Sequence, residues 1–150
     1  MKKLLGMIVV FCLVLAGLSF AGDKGTPAEA EALVKKAVGF IKANGKDKAF
    51  AEFTNPKGQF IDRDLYIFVY DLDGKCVAHG QNPKMIGKDL SDLTDPSGKA
   101  FVQDRITIAK TKGKGWQNYQ FTNPVTKKIE DKTAYIEKYE NYIVGSGAYK

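Results

Sequence analysis

The stretch Leu65-Tyr66-Ile67-Phe68-Val69-Tyr70-Asp71-Leu72-Asp73-Gly74-Lys75-Cys76-Val77-Ala78-His79 decides the fold. Residues 65–70 are rich in aromatic and β-branched side chains, Asp71-Leu72-Asp73-Gly74 turns, and Cys76-Val77-Ala78-His79 runs back, which together spell a β-hairpin. The turn has the opening of a calcium loop, but no glutamate closes it at the twelfth position, so it reads as a turn only.

Upstream, Thr26-Pro27-Ala28-Glu29 combines a capping box with proline at the first helical position, and Asn44-Gly45 is a stop signal. Between them Leu33, Val34, Ala37, Val38, Phe40 and Ile41 recur at spacings of three and four, which predicts a long amphipathic helix. Asp47 opens a shorter helix through Phe53, and Asn55-Pro56-Lys57-Gly58 turns. Downstream, residues 80–96 are polar and broken by Asn82-Pro83, Gly87 and Asp95-Pro96, as a covering loop would be. A second helical pattern follows Gly98 and runs to about Lys110, ended by Gly113-Lys114-Gly115. Three strands close the chain at Trp116–Thr122, Lys132–Tyr139 and Tyr142–Tyr149. This order predicts an α+β, PAS-like architecture: a long N-terminal helix and a five-stranded antiparallel sheet with a loop and a helix inserted after the second strand.

Met1-Lys2-Lys3, the apolar run Leu4 to Leu18, and Ser19-Phe20-Ala21 with small residues at −3 and −1 read as a signal peptide over residues 1–21. About 15 apolar residues fall short of the roughly 20 that a spanning helix needs. Cys12 is a poor lipid-anchor site, because Phe11 precedes it and the apolar run continues past it. Residues 22–150 are then a single domain, periplasmic or secreted, or tethered where the segment is retained. Cys76 is its only cysteine, so no intrachain disulfide forms and packing alone must hold the fold.

The net charge of +6 comes from 23 basic and 17 acidic residues, and two of the positive charges, Lys2 and Lys3, lie in the signal segment. The clusters at Lys110 to Lys114 and at Lys127-Lys128 are short, so nucleic acid is not an expected partner. Outside the signal segment the chain has one histidine, His79, and one cysteine, Cys76, too few for a metal centre built on three or four such ligands. With no convincing pair of catalytic carboxylates, an enzyme is not expected either. No cofactor is expected: C-x-x-C-H is absent, which restricts haem to loose ligation by His79 or Met85.

The informative side chains are polar ones placed where apolar ones belong. On a wheel of the helix after Gly98, Phe101, Val102, Ile106, Ile108 and Ala109 fill one arc, and Arg105 sits inside it. A guanidinium there needs an anion with matching geometry, either an internal Asp or Glu or a ligand carboxylate. His79 ends the second strand, where its imidazole either donates to an oxyanion or bonds to nearby backbone. Lys132 opens the fourth strand, with Tyr135 on the other face from it. Trp116, Tyr119 and Phe121 are either sheet core or walls of a pocket.

Tyr66 to Gly74 followed by Val77-Ala78-His79 resembles the strand, D-x-x-G turn and "AH" strand of the single Cache family. Asn82-Pro83, Ile86-Gly87-Lys88-Asp89-Leu90 and Asp95-Pro96-Ser97-Gly98-Lys99 resemble its next block. Gly115-Trp116-Gln117-Asn118-Tyr119, Asn123-Pro124, Lys132-Thr133-Ala134-Tyr135 and Gly145-Ser146-Gly147-Ala148-Tyr149 resemble its closing strands. The likeness covers about residues 27–149. It implies an extracytoplasmic sensor module that recognises a small organic anion of the two- to four-carbon carboxylate class, with Arg105, Lys132 and His79 as ligand groups and Tyr66, Trp116 and Tyr119 shaping the pocket. Members usually sit between two membrane helices. The sequence stops after its last strand, so the expectation is a module that reports to a separate membrane receptor, kinase or transporter. The alternative is a protein-interaction module, or a homodimer formed through the N-terminal helix, without a working pocket.

Overall fold

The computed structural model describes residues 22–150; the signal-peptide reading of residues 1–21 lies outside the described residues. Helix α1 spans Pro27–Asn44 and starts as a full capping box: the Thr26 hydroxyl accepts the Glu29 amide and the Glu29 carboxylate accepts the Thr26 amide. Its stripe is buried at Ala30, Val34, Ala37, Val38 and Ile41. Helix α2 follows as Lys46–Thr54, one residue longer at each end than the sequence predicts.

Five strands form one antiparallel sheet: β1 Phe68–Asp71, β2 Cys76–His79, β3 Lys114–Thr122, β4 Ile129–Tyr139 and β5 Tyr142–Tyr149, in the order β2-β1-β5-β4-β3. Strand β1 begins at Phe68 and not at Leu65. Asp62 and Leu65 exchange backbone hydrogen bonds of 3.0 and 2.8 Å around Arg63 at φ +56°, so the chain is still turning there. Strand β1 is paired along both edges, by β2 and β5, and is also covered on both faces, so Tyr66, Phe68 and Tyr70 alternate with Ile67 and Val69 between two apolar layers. In the hairpin turn the Asp71 carboxylate accepts the amides of Asp73 and Lys75, so it serves the turn's own backbone.

Helices α1 and α2 cover one face, packing on Ile67, Val69, Tyr135 and Val144. Helix α3, Phe101–Lys112, and the segment before it cover the other, where Tyr66, Phe68, Tyr70, Tyr119, Ile136, Ile143 and Tyr149 meet Phe101, Val102 and Ile106. Gly113 stops α3 in the left-handed region at φ +76°, with its amide donating to Ile108 and Ala109. The covering segment is more ordered than a plain loop, with a 3-10 turn at Pro83–Met85. Asp95 staples it to the edge strand: Oδ1 accepts from the Ser97 amide and hydroxyl and the Lys99 amide, while Oδ2 accepts the Gln120 amide at 2.8 Å. Among the described residues no helix is long and apolar enough to cross a membrane.

Candidate functional site

The face beneath α3 carries the polar groups. Arg105 occupies the apolar side of α3 as the wheel predicts and is 1% exposed. Its Cζ lies 4.3 Å from the Phe68 ring centroid, 4.8 Å from Tyr70, 5.1 Å from Phe101 and 5.3 Å from Tyr119. Each such ring stabilises a desolvated cation by about 2 kcal/mol, which offsets part of the cost of burying the charge but supplies neither a counter-charge nor an in-plane acceptor. Nε donates to Gln117 Oε1 at 3.0 Å, and Nη2 is buried with no hydrogen-bond partner.

Lys132 does not open its strand. Because β4 starts at Ile129, Lys132 lies inside the sheet, opposite Tyr119 on β3 and Tyr149 on β5, and is 1% exposed. Nζ donates to the hydroxyls of Tyr66 at 2.9 Å and Tyr149 at 3.3 Å and sits 4.1 Å from the Tyr66 ring. Burial first, then the field of Arg105, pushes its ammonium well below the usual lysine range, against a smaller opposing pull from the buried Asp64. Ion pairs among the described residues join Lys24, Lys35, Arg63 and Lys99 to carboxylates; Arg105 and Lys132 take part in none of them.

His79 lies 5.0 Å from the Tyr66 ring, and its Nδ1 accepts the amides of Gln81 at 3.2 Å and Asn82 at 2.9 Å. Burial, with the positive fields of Lys132 and Arg105, brings its pKa down to about 3. The ring is therefore neutral near pH 7 with its proton on Nε2, a donor held in place by backbone. Burial likewise raises the phenols of Tyr66 and Tyr149, which stay protonated. Tyr119 stacks on Phe101 at 4.7 Å and 9°.

The structure thus brings together Arg105, Lys132, His79, Tyr66 and Tyr119 on one face. Trp116 is a correction: it is 42% exposed and packs on Tyr135, on the opposite face of the sheet. Strand parity is the reason, since 116 and 119 differ by an odd number and cannot point the same way in a regular strand. The same parity identifies a residue the sequence reading passed over: Gln117 shares the inward side with Tyr119 and Phe121. Two glycines were also missed. A Cβ at Gly145 would come 2.2 Å from the Phe68 ring, and one at Gly147 would come 2.7 Å from Lys132 Cε, so the missing side chains of β5 make room for both.

Tyr66 and His79 open onto a cavity of about 230 Å³ that also touches Asn82, Phe121 and Lys127. A larger opening of about 340 Å³ at the β3–β4 side includes Lys99, Lys132 and Lys150 but also the carboxylates of Asp95 and Asp131, which oppose an anion. Among the described residues no group of His, Cys, Asp and Glu is arranged to hold a metal ion.

The model of the single Cache domain 2 family matches residues 19–150. The methyl-accepting chemotaxis protein McpP of Pseudomonas putida is 34% identical over 90 residues, 59% of this chain and 16% of that protein. The sensor histidine kinase MctS of Rhizobium johnstonii is 35% identical over 89 residues, 58% of this chain and 19% of that protein. The chain thus spans less than a fifth of the length of these relatives. A solved Cache chemosensory domain, described for its carboxylic acid recognition, has a TM-score of 0.64 at 27% identity, with 81% of this chain and 86% of that chain covered.

Proposed function

We propose that this chain, which belongs to the single Cache domain 2 family, is an extracytoplasmic sensor module that binds a two- to four-carbon carboxylate and reports its bound state to a membrane receptor, kinase or transporter. One observation carries the reading: a guanidinium and a lysine amine are buried on the same face among rings and phenols, and neither is ion-paired to a carboxylate of the described residues, the buried Asp64 acting on Lys132 only through its field. Burying such groups without an anion costs several kcal/mol, and a ligand carboxylate supplies one. Its two oxygens suit donors of this kind: the Arg105 Nη groups, Lys132 Nζ and the Nε2–H of neutral His79. The carboxylic acid recognition of the Cache domain cited above supports the class, and the chemoreceptor and sensor-kinase relatives support the reporting role. The exposed face of α1 is the surface for pairing with a second copy. The module is a binder rather than an enzyme, needs no cofactor, and has no nucleic-acid partner.

A melting and titration panel of acetate, propionate, pyruvate, lactate and succinate tests this. A ligand at a hundred times its Kd adds about 2.7 kcal/mol, and Arg105→Met should remove the effect. The rival reading, an interaction or dimerisation module without a working pocket, has one observation in its favour: Arg105 lines neither cavity described above. It prevails if none of the five acids shifts the melting curve, or if Arg105→Met binds like the native chain.

A further inference from the structure

A guanidinium can grip a carboxylate through its Nε/Nη2 side or through its Nη1/Nη2 end. Here the side is engaged, because Nε donates to Gln117 Oε1 at 3.0 Å. Gln117 is itself 2% exposed and locked at its other end, where Nε2 donates to the Phe101 carbonyl at 3.0 Å and to Asp104 Oδ2 at 3.0 Å. Reversing the amide would set its oxygen against two acceptors and its nitrogen against the Arg105 N–H, so the orientation is fixed by its partners. Asp104 is thereby held on the far side of Gln117 from Arg105, where it also lies 3.4 Å from Lys99 Nζ. The guanidinium is fixed in direction by a neutral oxygen, its charge is not cancelled, and Nη2 remains buried and unpartnered.

We propose that Gln117 is the positioning residue that makes Arg105 an anion receptor, holding Nε with a neutral acceptor so that the charge and the Nη end stay available to one ligand carboxylate. The inference rests on the carboxylate reading above. A glutamate at this position would be an internal counter-ion, and the site would then be satisfied without ligand.

Two variants of similar length separate this role from a merely structural one. Gln117→Glu keeps the shape and adds a charge; Gln117→Met removes both the hydrogen bonds and the acceptor but adds none. Titration of the native chain and both variants with acetate, propionate, pyruvate, lactate and succinate should show Gln117→Glu at least tenfold weaker than Gln117→Met, which itself loses less than tenfold against the native chain. A structural role gives the opposite order, since only Met loses every hydrogen bond. Should Gln117→Glu not fold, the pair Gln117→Glu with Asp104→Asn replaces the facing carboxylate by an amide donor and carries the same expectation. Equal binding by the Glu and Met variants, or tighter binding by Glu, overturns the role of Gln117 while leaving the carboxylate reading intact. Absence of binding in the native chain overturns both.

Discussion

Lys132→Met should make the ligand-free protein more stable and unable to respond to carboxylate. Lys132 is 1% exposed, its Nζ donates to the hydroxyls of Tyr66 and Tyr149, and it forms no ion pair with a carboxylate of the described residues. Removing the amine leaves no orphan, because the Tyr66 hydroxyl can donate to that of Tyr149 at 3.3 Å, which in turn donates to the Thr122 carbonyl at 2.8 Å. The loss is two bonds from an amine whose charge burial disfavours, about 0.5–1.5 kcal/mol each. The gain is relief of a desolvation cost of several kcal/mol. The balance favours the variant by about 1–3 kcal/mol, roughly 3–8 °C in melting temperature for a chain of this size. A second signature is in the pH dependence. The folded-state pKa of Lys132 is depressed, so the unfolded chain binds the extra proton, and native stability climbs as pH rises from that lowered value toward 10.5. Lys132→Met removes this climb. Calorimetry with and without propionate, across neutral to alkaline pH, reads all three effects. A ligand-free variant that melts below the native chain refutes the reasoning, as does one that keeps the carboxylate-induced shift.

The His79 pKa of about 3, against an ordinary 6.5, means that only the unfolded state takes up the proton between those values. Stability should therefore be lost as pH falls from 6.5 toward 3, and His79→Gln should flatten that part of the melting profile; parallel slopes would count against a buried neutral imidazole. Burial acts to raise the Asp95 carboxyl, but hydrogen bonds from Ser97, Gln120 and Lys99 outweigh it and hold the group below the usual aspartate range. Its contribution is present above about pH 4 and lost on further acidification, and Asp95→Asn should cost about 1–3 kcal/mol and speed amide exchange at residues 95–99. Trp116→Ala should leave carboxylate affinity within twofold of native by titration, because its ring stands on the other face of the sheet. Gly147→Ala places a methyl 2.7 Å from Lys132 Cε and 2.8 Å from Ala134 Cβ, so both affinity and melting temperature should fall.

The elements were legible in the sequence because each rests on neighbours along the chain. The capping box at Thr26, the stripe from Leu33 to Ile41 and the stop at Gly113 are local interactions, and they set α1 and the end of α3 close to where they are found. The burial of Arg105 was legible for the same reason, since a helix wheel needs only the periodicity of one segment. Strand starts were less so: β1 begins three residues late because of the turn at Arg63, and β4 begins three residues early, which turns Lys132 from a strand-end lysine into a buried one. What alternation along β3 says about Gln117 and Trp116 depends on knowing which side of the sheet α3 covers.

The sequence by itself therefore determined the set of elements, the family likeness and one buried cation in search of an anion. Only the tertiary structure decided which groups share the site. Tyr66, Lys132 and Tyr149 meet through the pairing of β4 with β5 and the neighbouring course of the chain into β1, across sequence separations of 66 and 17 residues. Gly145 and Gly147 make room because of rings and a side chain that lie on other strands. Strand pairing joins residues whose spacing along the chain carries no period, so the contacts around the amine and the guanidinium are properties of the folded sheet and not of any one segment.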